Sequence, residues 1–146
     1  MKKQAMNLVA ALGFLLAVSA TSAFAQTMKA DIPFAFHAAN ETLPAGRYEV
    51  STANTVKGSI IVRGTENKQA VAALVINVAS KRTPEVSKLI FRRYGDQYFL
   101  AQIFVKGQTS GIEMLQTKAE RRLLKQQRDH LARNVEPELV TIVAGQ

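Results

Sequence analysis

The chain contains no cysteine, and among its 146 residues there are just two histidines. Without cysteine it cannot form disulfides, use a thiolate as a nucleophile or bind metal through thiolates. His37 falls in a predicted loop and His130 in a predicted helix, and neither has a second histidine at metal-binding spacing. The sequence also lacks the G-x-S-x-G, Walker A and H-E-x-x-H motifs. We therefore expect a protein that is not an enzyme and has no cofactor or metal site. The alternative is a hydrolase that assembles a histidine, a carboxylate and a hydroxyl in three dimensions.

The N-terminus has the pattern of a secretory signal peptide. Residues 1–7 carry Lys2 and Lys3 and no acid, residues 8–18 are apolar, and residues 19–25 end in Ala23-Phe24-Ala25. This pattern predicts cleavage after Ala25 and export to the periplasm or the extracellular space. An uncleaved membrane anchor is the alternative, but the apolar run is short beside the roughly 20 residues that a spanning helix needs.

Residues 26–146 are enough for one domain and too few for two. The whole chain has a net charge of +8, and it stays basic after Lys2 and Lys3 are removed. A basic balance favours anionic partners, here anionic lipid, lipopolysaccharide or acidic polysaccharide, or an envelope protein. Nucleic acid is an unlikely partner, because an exported protein does not meet the intracellular pool.

The segment from Lys88 to Val105 predicts a central β-hairpin. Two runs of β-branched and aromatic residues flank Gly95-Asp96, which suits a two-residue type II′ turn. This turn pairs Tyr94 with Gln97, Phe91 with Leu100 and Ile90 with Ala101. Both faces of the hairpin are then apolar, so we expect other parts of the chain to cover both sides.

Further alternating or β-branched segments predict the other strands. They lie at about residues 28–36, 47–52, 59–63, 69–79 and 138–144. No alternation of strands and helices suggests a parallel sheet. The prediction is a mainly β fold, an antiparallel β-sandwich or partly open β-barrel of six to seven strands with one C-terminal amphipathic α-helix.

The helix is predicted over about residues 116–134, with Pro137 just beyond its end. Thr117 and Glu120 fit a capping box, in which each side chain bonds the other's free backbone N–H. Ser110 and Glu113 fit the same pattern, so the start of the helix is open by about two turns. Leu123, Leu124, Gln127 and Leu131 share a stripe of roughly 100°, and six cations occupy an opposite arc of roughly 140°. The six cations are Lys118, Arg121, Arg122, Lys125, Arg128 and Arg133.

Three interpretations of this helix remain open. The cations could bind phosphate or carboxylate groups of an envelope component. Leu124 and Leu131 could instead dock a partner protein, which would make the domain a structural or assembly module. The helix could also pack its leucines on the sheet and expose a solvated basic face, as most charge runs do. Ionic binding and apolar docking differ in their response to salt.

Three sequence segments suggest a family. IPFAF (residues 32–36), LPAGRYEV (residues 43–50) and FRRYGDQYFLAQI (residues 91–103) resemble small secreted proteins of unknown function from acidobacteria and similar soil bacteria. The resemblance implies export and a small β-domain with a C-terminal basic helix. These segments carry no catalytic or binding residues, so the resemblance implies no activity.

Overall fold

The computed structural model describes residues 26–52, 58–131 and 136–145, which form a mainly β fold. The predicted signal peptide, residues 1–25, lies outside the described residues. Within the described part, no helix is long and apolar enough to cross a membrane. The elements in chain order are β1 (Thr27–Ile32), β2 (Phe36–Ala38), β3 (Glu41–Leu43), β4 (Gly46–Ser51), β5 (Ser59–Gly64), β6 (Ala70–Ala79), β7 (Ser87–Tyr94), β8 (Gln97–Phe104), β9 (Ser110–Met114), α1 (Lys118–Leu131) and β10 (Glu138–Ala144).

The described strands form one open sheet. Neighbouring strands follow the order β1-β4-β5-β6-β9-β8. Beyond β9, β8 also pairs with β7, and β7 pairs with β10, so that β1 and β10 are the two ends of this path. The strand pairs are antiparallel except for β2 and β8, which are joined in parallel at His37 and Phe99. The two ends of the path approach each other at one bridge, where Lys29 and Gly145 exchange two backbone hydrogen bonds of 2.8 Å.

The predicted hairpin forms between β7 and β8, and its register is confirmed as far as Phe91. Tyr94 pairs with Gln97 and Phe91 with Leu100, while Gly95 has a φ of 62°, as the first central residue of a type II′ turn requires. The pairing of Ile90 with Ala101 is wrong. The register shifts at a β-bulge between Ile90 and Phe91, so Ile90 lies opposite Gln102.

Ten strands are described, where the sequence predicts six or seven. The three additional ones are β2, β3 and β9, which are three to five residues long. The segment 28–36 is not one strand, because it breaks after Ile32 at Pro33, which has no N–H to donate. β10 has the bounds that its alternating pattern predicts.

The hydrophobic core is one cluster that includes buried residues from every described strand. Tyr48 is its largest fully buried side chain and packs edge-to-face on Phe36, with ring centres 5.1 Å apart. Its hydroxyl donates to the backbone oxygen of Pro44 at 2.7 Å and accepts from Asn67 Nδ2 at 3.0 Å. Within the segment LPAGRYEV, the hydrogen bond from Tyr48 thus joins strand β4 to the turn at Pro44 that precedes it.

We expect Tyr48→Phe to lower the free energy of unfolding by about 1–2 kcal/mol, because it removes both hydrogen bonds of the Tyr48 hydroxyl while keeping the buried ring. Urea unfolding of both proteins measures this change. Tyr98→Phe is the matched control, since the Tyr98 ring is half-buried and stacks on Phe34. Equal losses in the two variants would contradict a specific role for the Tyr48 hydroxyl.

Candidate functional site

The helix α1 begins where the Thr117 cap predicts. The backbone N–H of Glu120 donates to Thr117 Oγ1 at 3.0 Å, and the N–H of Arg121 donates to the Thr117 carbonyl at 3.0 Å. The alternative start at Ser110 is wrong, because Ser110–Met114 is strand β9. The predicted residues 132–134 of the helix lie outside the described part of the chain.

The capping box is half formed, because the Glu120 carboxylate turns away from Thr117 and into the protein. Glu120 is 1% exposed. Its Oε1 accepts from Arg92 Nε at 2.6 Å and from the Tyr94 hydroxyl at 3.1 Å, and its Oε2 accepts from Arg92 Nη2 at 3.3 Å. A carboxylate paired in this two-pronged way with a guanidinium holds both partners in a defined orientation. The first turn of α1 is therefore fixed to the central hairpin by an ion pair.

Arg92 lies between two carboxylates. Besides Glu120, its Nη1 is 3.9 Å from Oε1 of Glu113 in β9, and Gln102 Nε2 donates to the other Glu113 oxygen at 3.4 Å. The Arg92 side chain is 12% exposed. It thus connects β7, β9 and α1 at one point on the outer side of the sheet.

This network of Arg92, Glu113 and Glu120 was not predicted, although the sequence carries one signal for it. Glu120 is the acid in a first turn that is otherwise basic, and it falls on the stripe of Leu123, Leu124 and Gln127. An acid that lines up with the inward face of a helix indicates a buried partner rather than a solvated charge.

The basic face of α1 is defined as the described cations Lys118, Arg121, Arg122, Lys125 and Arg128. All five are exposed, whereas Leu123, Leu124 and Gln127 on the other side are half-buried. In the described part of the chain, the ion pairs within 4.0 Å use Lys29, Arg92 and Arg93 and none of these five cations. Arg133, the sixth predicted cation, lies outside the described residues.

Two shallow clefts border the basic face. One has a volume of about 430 Å³ and is lined by Arg121, Lys125 and Arg128 together with Gln116, Leu124 and Asp129. The other, of about 380 Å³, has Lys118 and Arg121 on one wall and β6 on the opposite wall. Arg121 therefore contributes to both clefts. Leu124, the predicted docking residue, is half-buried and lines the first cleft, and the side chain of Leu131 lies outside the description.

His37 is packed into the structure on the far side of Phe99. Its ring stacks on Phe99 with centres 4.6 Å apart, and its Nδ1 is 3.0 Å from Thr42 Oγ1. Burial lowers the pKa of His37, and the negative charge of Glu120 opposes this shift. The nearby Glu120 carboxylate is already bonded to Arg92 and Tyr94, and His37 lines neither cleft beside the helix.

His130 has no described side chain. Within the described ranges, no group of three histidine, aspartate or glutamate side chains is arranged to hold a metal ion.

No protein family model, curated protein or solved structure matches this chain. The resemblance to small secreted bacterial proteins stays a prediction.

We expect Glu120→Gln to lower the free energy of unfolding by about 3 kcal/mol, because it leaves the largely buried Arg92 without its main counter-charge. The double variant Arg92→Met/Glu120→Leu removes both charges and should recover most of the loss. Chemical denaturation measures all three proteins. The matched control is Glu49→Gln, which breaks an exposed pair with Lys29 at 3.6 Å and should cost less than about 1 kcal/mol. A double variant as unstable as Glu120→Gln would contradict this account of the pair.

The Tyr94 hydroxyl gives a spectroscopic test of the same site. Burial, with the nearby charge and hydrogen bond of Glu120, raises the pKa of Tyr94 to about 12 from an ordinary 10.0. The stability that this phenol contributes is therefore complete below pH 10 and is lost as the pH rises toward about 12. In a near-ultraviolet titration, the difference between the native protein and Tyr94→Phe should show a phenol that ionises near pH 12. Ionisation near pH 10 would place the hydroxyl in water.

Proposed function

We propose that the chain is an exported, non-catalytic β-domain that binds an anionic component of the cell envelope through the basic face of α1. The observation that carries this proposal is the segregation of charge on the helix. The acid in its first turn is buried against Arg92, while five cations remain exposed and form no ion pair within the described residues. The surface of the helix is thus more basic than its composition suggests.

The spacing of the cations favours a ligand with several negative charges. Arg121, Lys125 and Arg128 follow one another at four and three positions along the helix. At 1.5 Å of rise per residue, they are spread over roughly 10 Å of helix axis. A single phosphate spans much less than this distance, so the phosphates of lipopolysaccharide, a layer of anionic lipid headgroups or an acidic polysaccharide fit better.

The construction of the site also favours binding to an extended surface. The clefts beside the basic face are shallow, and Leu124 contributes an apolar patch between the cations. The helix is held in one orientation on the sheet, since Glu120 is bonded to Arg92 and Tyr94 of the central hairpin. We infer that this scaffold is a sandwich or a partly open barrel, and the bridge between Lys29 and Gly145 at its two ends supports this inference.

The test is binding of residues 26–146 to anionic vesicles, lipopolysaccharide and heparin over a salt series. Four helix cations are changed to glutamine in one variant: Arg121, Arg122, Lys125 and Arg128. The control variant removes four exposed cations elsewhere: Lys68, Lys81, Arg82 and Lys106. Both variants have the same net charge, so the comparison separates the position of the charge from its amount.

We expect the native protein and the control variant to bind anions with an affinity that falls steeply with salt, because bound cations release counterions. The helix variant should lose at least tenfold in affinity, which is about 1.4 kcal/mol. An equal loss of affinity in both variants would show that binding depends only on net charge, and this would contradict the proposal. Binding that persists at high salt would instead favour the assembly module, in which a partner protein docks on Leu124.

A further inference from the structure

The strand β6 changes partners halfway along its length. Ala70–Leu74 pair with β5, and Val75–Ala79 pair with β9 on the opposite edge. β9 ends at Met114, where the chain turns away toward α1. In the described part of the chain, no strand pairs with Ala70–Leu74 on the β9 side.

The direction of the backbone groups shows which of them lie on this unpaired edge. The N–H of Val75 donates to Gly58 and the carbonyl of Gln69 accepts from Gly64, both on the β5 side. Because backbone groups alternate along a strand, Val71 and Ala73 also point to β5. The N–H and C=O groups of Ala72 and Leu74 therefore point to the edge that β9 leaves open.

A continuous groove runs along this edge. Its other wall is the turn between β2 and β3, and Ala39, Asn40 and Ala72 line both of its parts, of about 380 and 250 Å³. The floor has small side chains, since Ala70 and Ala72 lie in β6. The groove thus leaves room for a polypeptide backbone to approach the exposed groups of β6.

The side chains at the groove give it an apolar rim and opposite charges at its two ends. Leu74 is 68% exposed and Leu115 is 51% exposed, and both line the larger part. Lys118 and Arg121 line the same part of the groove as Leu74, whereas Glu41 lines the same part as Ala70. An occupant that matches the groove is apolar along its length and negative at the Leu74 end.

We propose that the open edge of β6 binds an extended, acidic segment of another protein by β-strand addition. The segment lies antiparallel to β6, in line with β9, with its acidic side chains toward Lys118 and Arg121. Alternating backbone donors and acceptors are satisfied by another backbone, and a lipid chain has none to offer. A second copy is disfavoured, because the β2–β3 turn and α1 flank the edge of each molecule and would meet.

The open edge of β6 is a different site from the basic face of α1, although Lys118 and Arg121 border both. The diagnostic variant is therefore Ala72→Pro, which removes one N–H from the open edge and none from the ladder with β5. Ala72→Ser is the matched control, because it keeps the N–H and leaves a small side chain. Thermal unfolding shows first that both variants are folded.

The probe is a capped synthetic peptide, Asp-Asp-Val-Thr-Val-Thr-Val, and a second peptide with Lys-Lys in place of Asp-Asp is its control. Amide hydrogen exchange of the native protein, followed by NMR, is measured with and without the peptides. In the free protein we expect the Ala72 and Leu74 amides to exchange faster than those of Val71 and Ala73. The acidic peptide should slow Ala72 and Leu74 at least tenfold, and the basic peptide should have no effect.

Binding affinity for the acidic peptide should fall about tenfold in Ala72→Pro and stay unchanged in Ala72→Ser. Slow exchange of Ala72 and Leu74 in the free protein would overturn the proposal, because the edge would then already be paired. The proposal would also be overturned if Ala72→Pro bound the acidic peptide as tightly as the native protein. It would be overturned too if the acidic peptide failed to slow the exchange of the Ala72 and Leu74 amides. If the Ala72 and Leu74 amides were protected merely by raising the protein concentration, the occupant of the edge would be a second copy of the chain and the proposal would be wrong. If anionic vesicles protected them and the acidic peptide did not, the occupant would be lipid and the proposal would also be wrong.

Discussion

The ion pair between Arg92 and Glu120 is the interaction on which the arrangement of the molecule depends. Removing both charges from water is costly, and the pair is retained because each partner makes further polar contacts, Glu120 with Tyr94 and Arg92 with Glu113. Apolar packing alone would tolerate several rotations of a helix that has two half-buried leucines in its first half. The two-pronged contact with Arg92 selects one of them, since only one rotation places Glu120 over the hairpin.

This constraint decides which surfaces the helix presents. With Glu120 facing inward, Arg121 and Arg122 are rotated from it by about 100° and 200° around the helix axis, which leaves both side chains exposed. Lys125 and Arg128, one and two turns later, are exposed for the same reason. The position of the first turn also sets the path of residues 115–117, which lead away from β6 and leave part of its edge unpaired. The outward basic face and the groove beside β6 are in this sense two consequences of one buried contact.

Much of the fold was predictable because it rests on local patterns. The turn at Gly95-Asp96, the alternation in β10 and the cap at Thr117 each involve neighbouring residues, and all three appear where the sequence predicts them. The bulge between Ile90 and Phe91 was not predictable, because it depends on how β8 meets β7 and β9. Strands such as β2 and β3 are too short to show a period, and they exist because neighbouring strands supply the pairing. The position of the cations on one helical face followed from a period of 3.6, but the buried partner of Glu120 is distant in sequence and left no periodic signal.

The central claim is that Glu120 holds α1 so that its cations form one outward binding surface. Titration of isotope-labelled protein with a heparin oligosaccharide, followed by NMR of the arginine Nε–Hε groups, tests it most directly. The account predicts that the signals of Arg121, Arg122 and Arg128 shift together and that of Arg92 stays in place. Shifts of similar size at Arg47, Arg63 and Arg82 would show diffuse attraction by net charge and would contradict a defined surface on the helix.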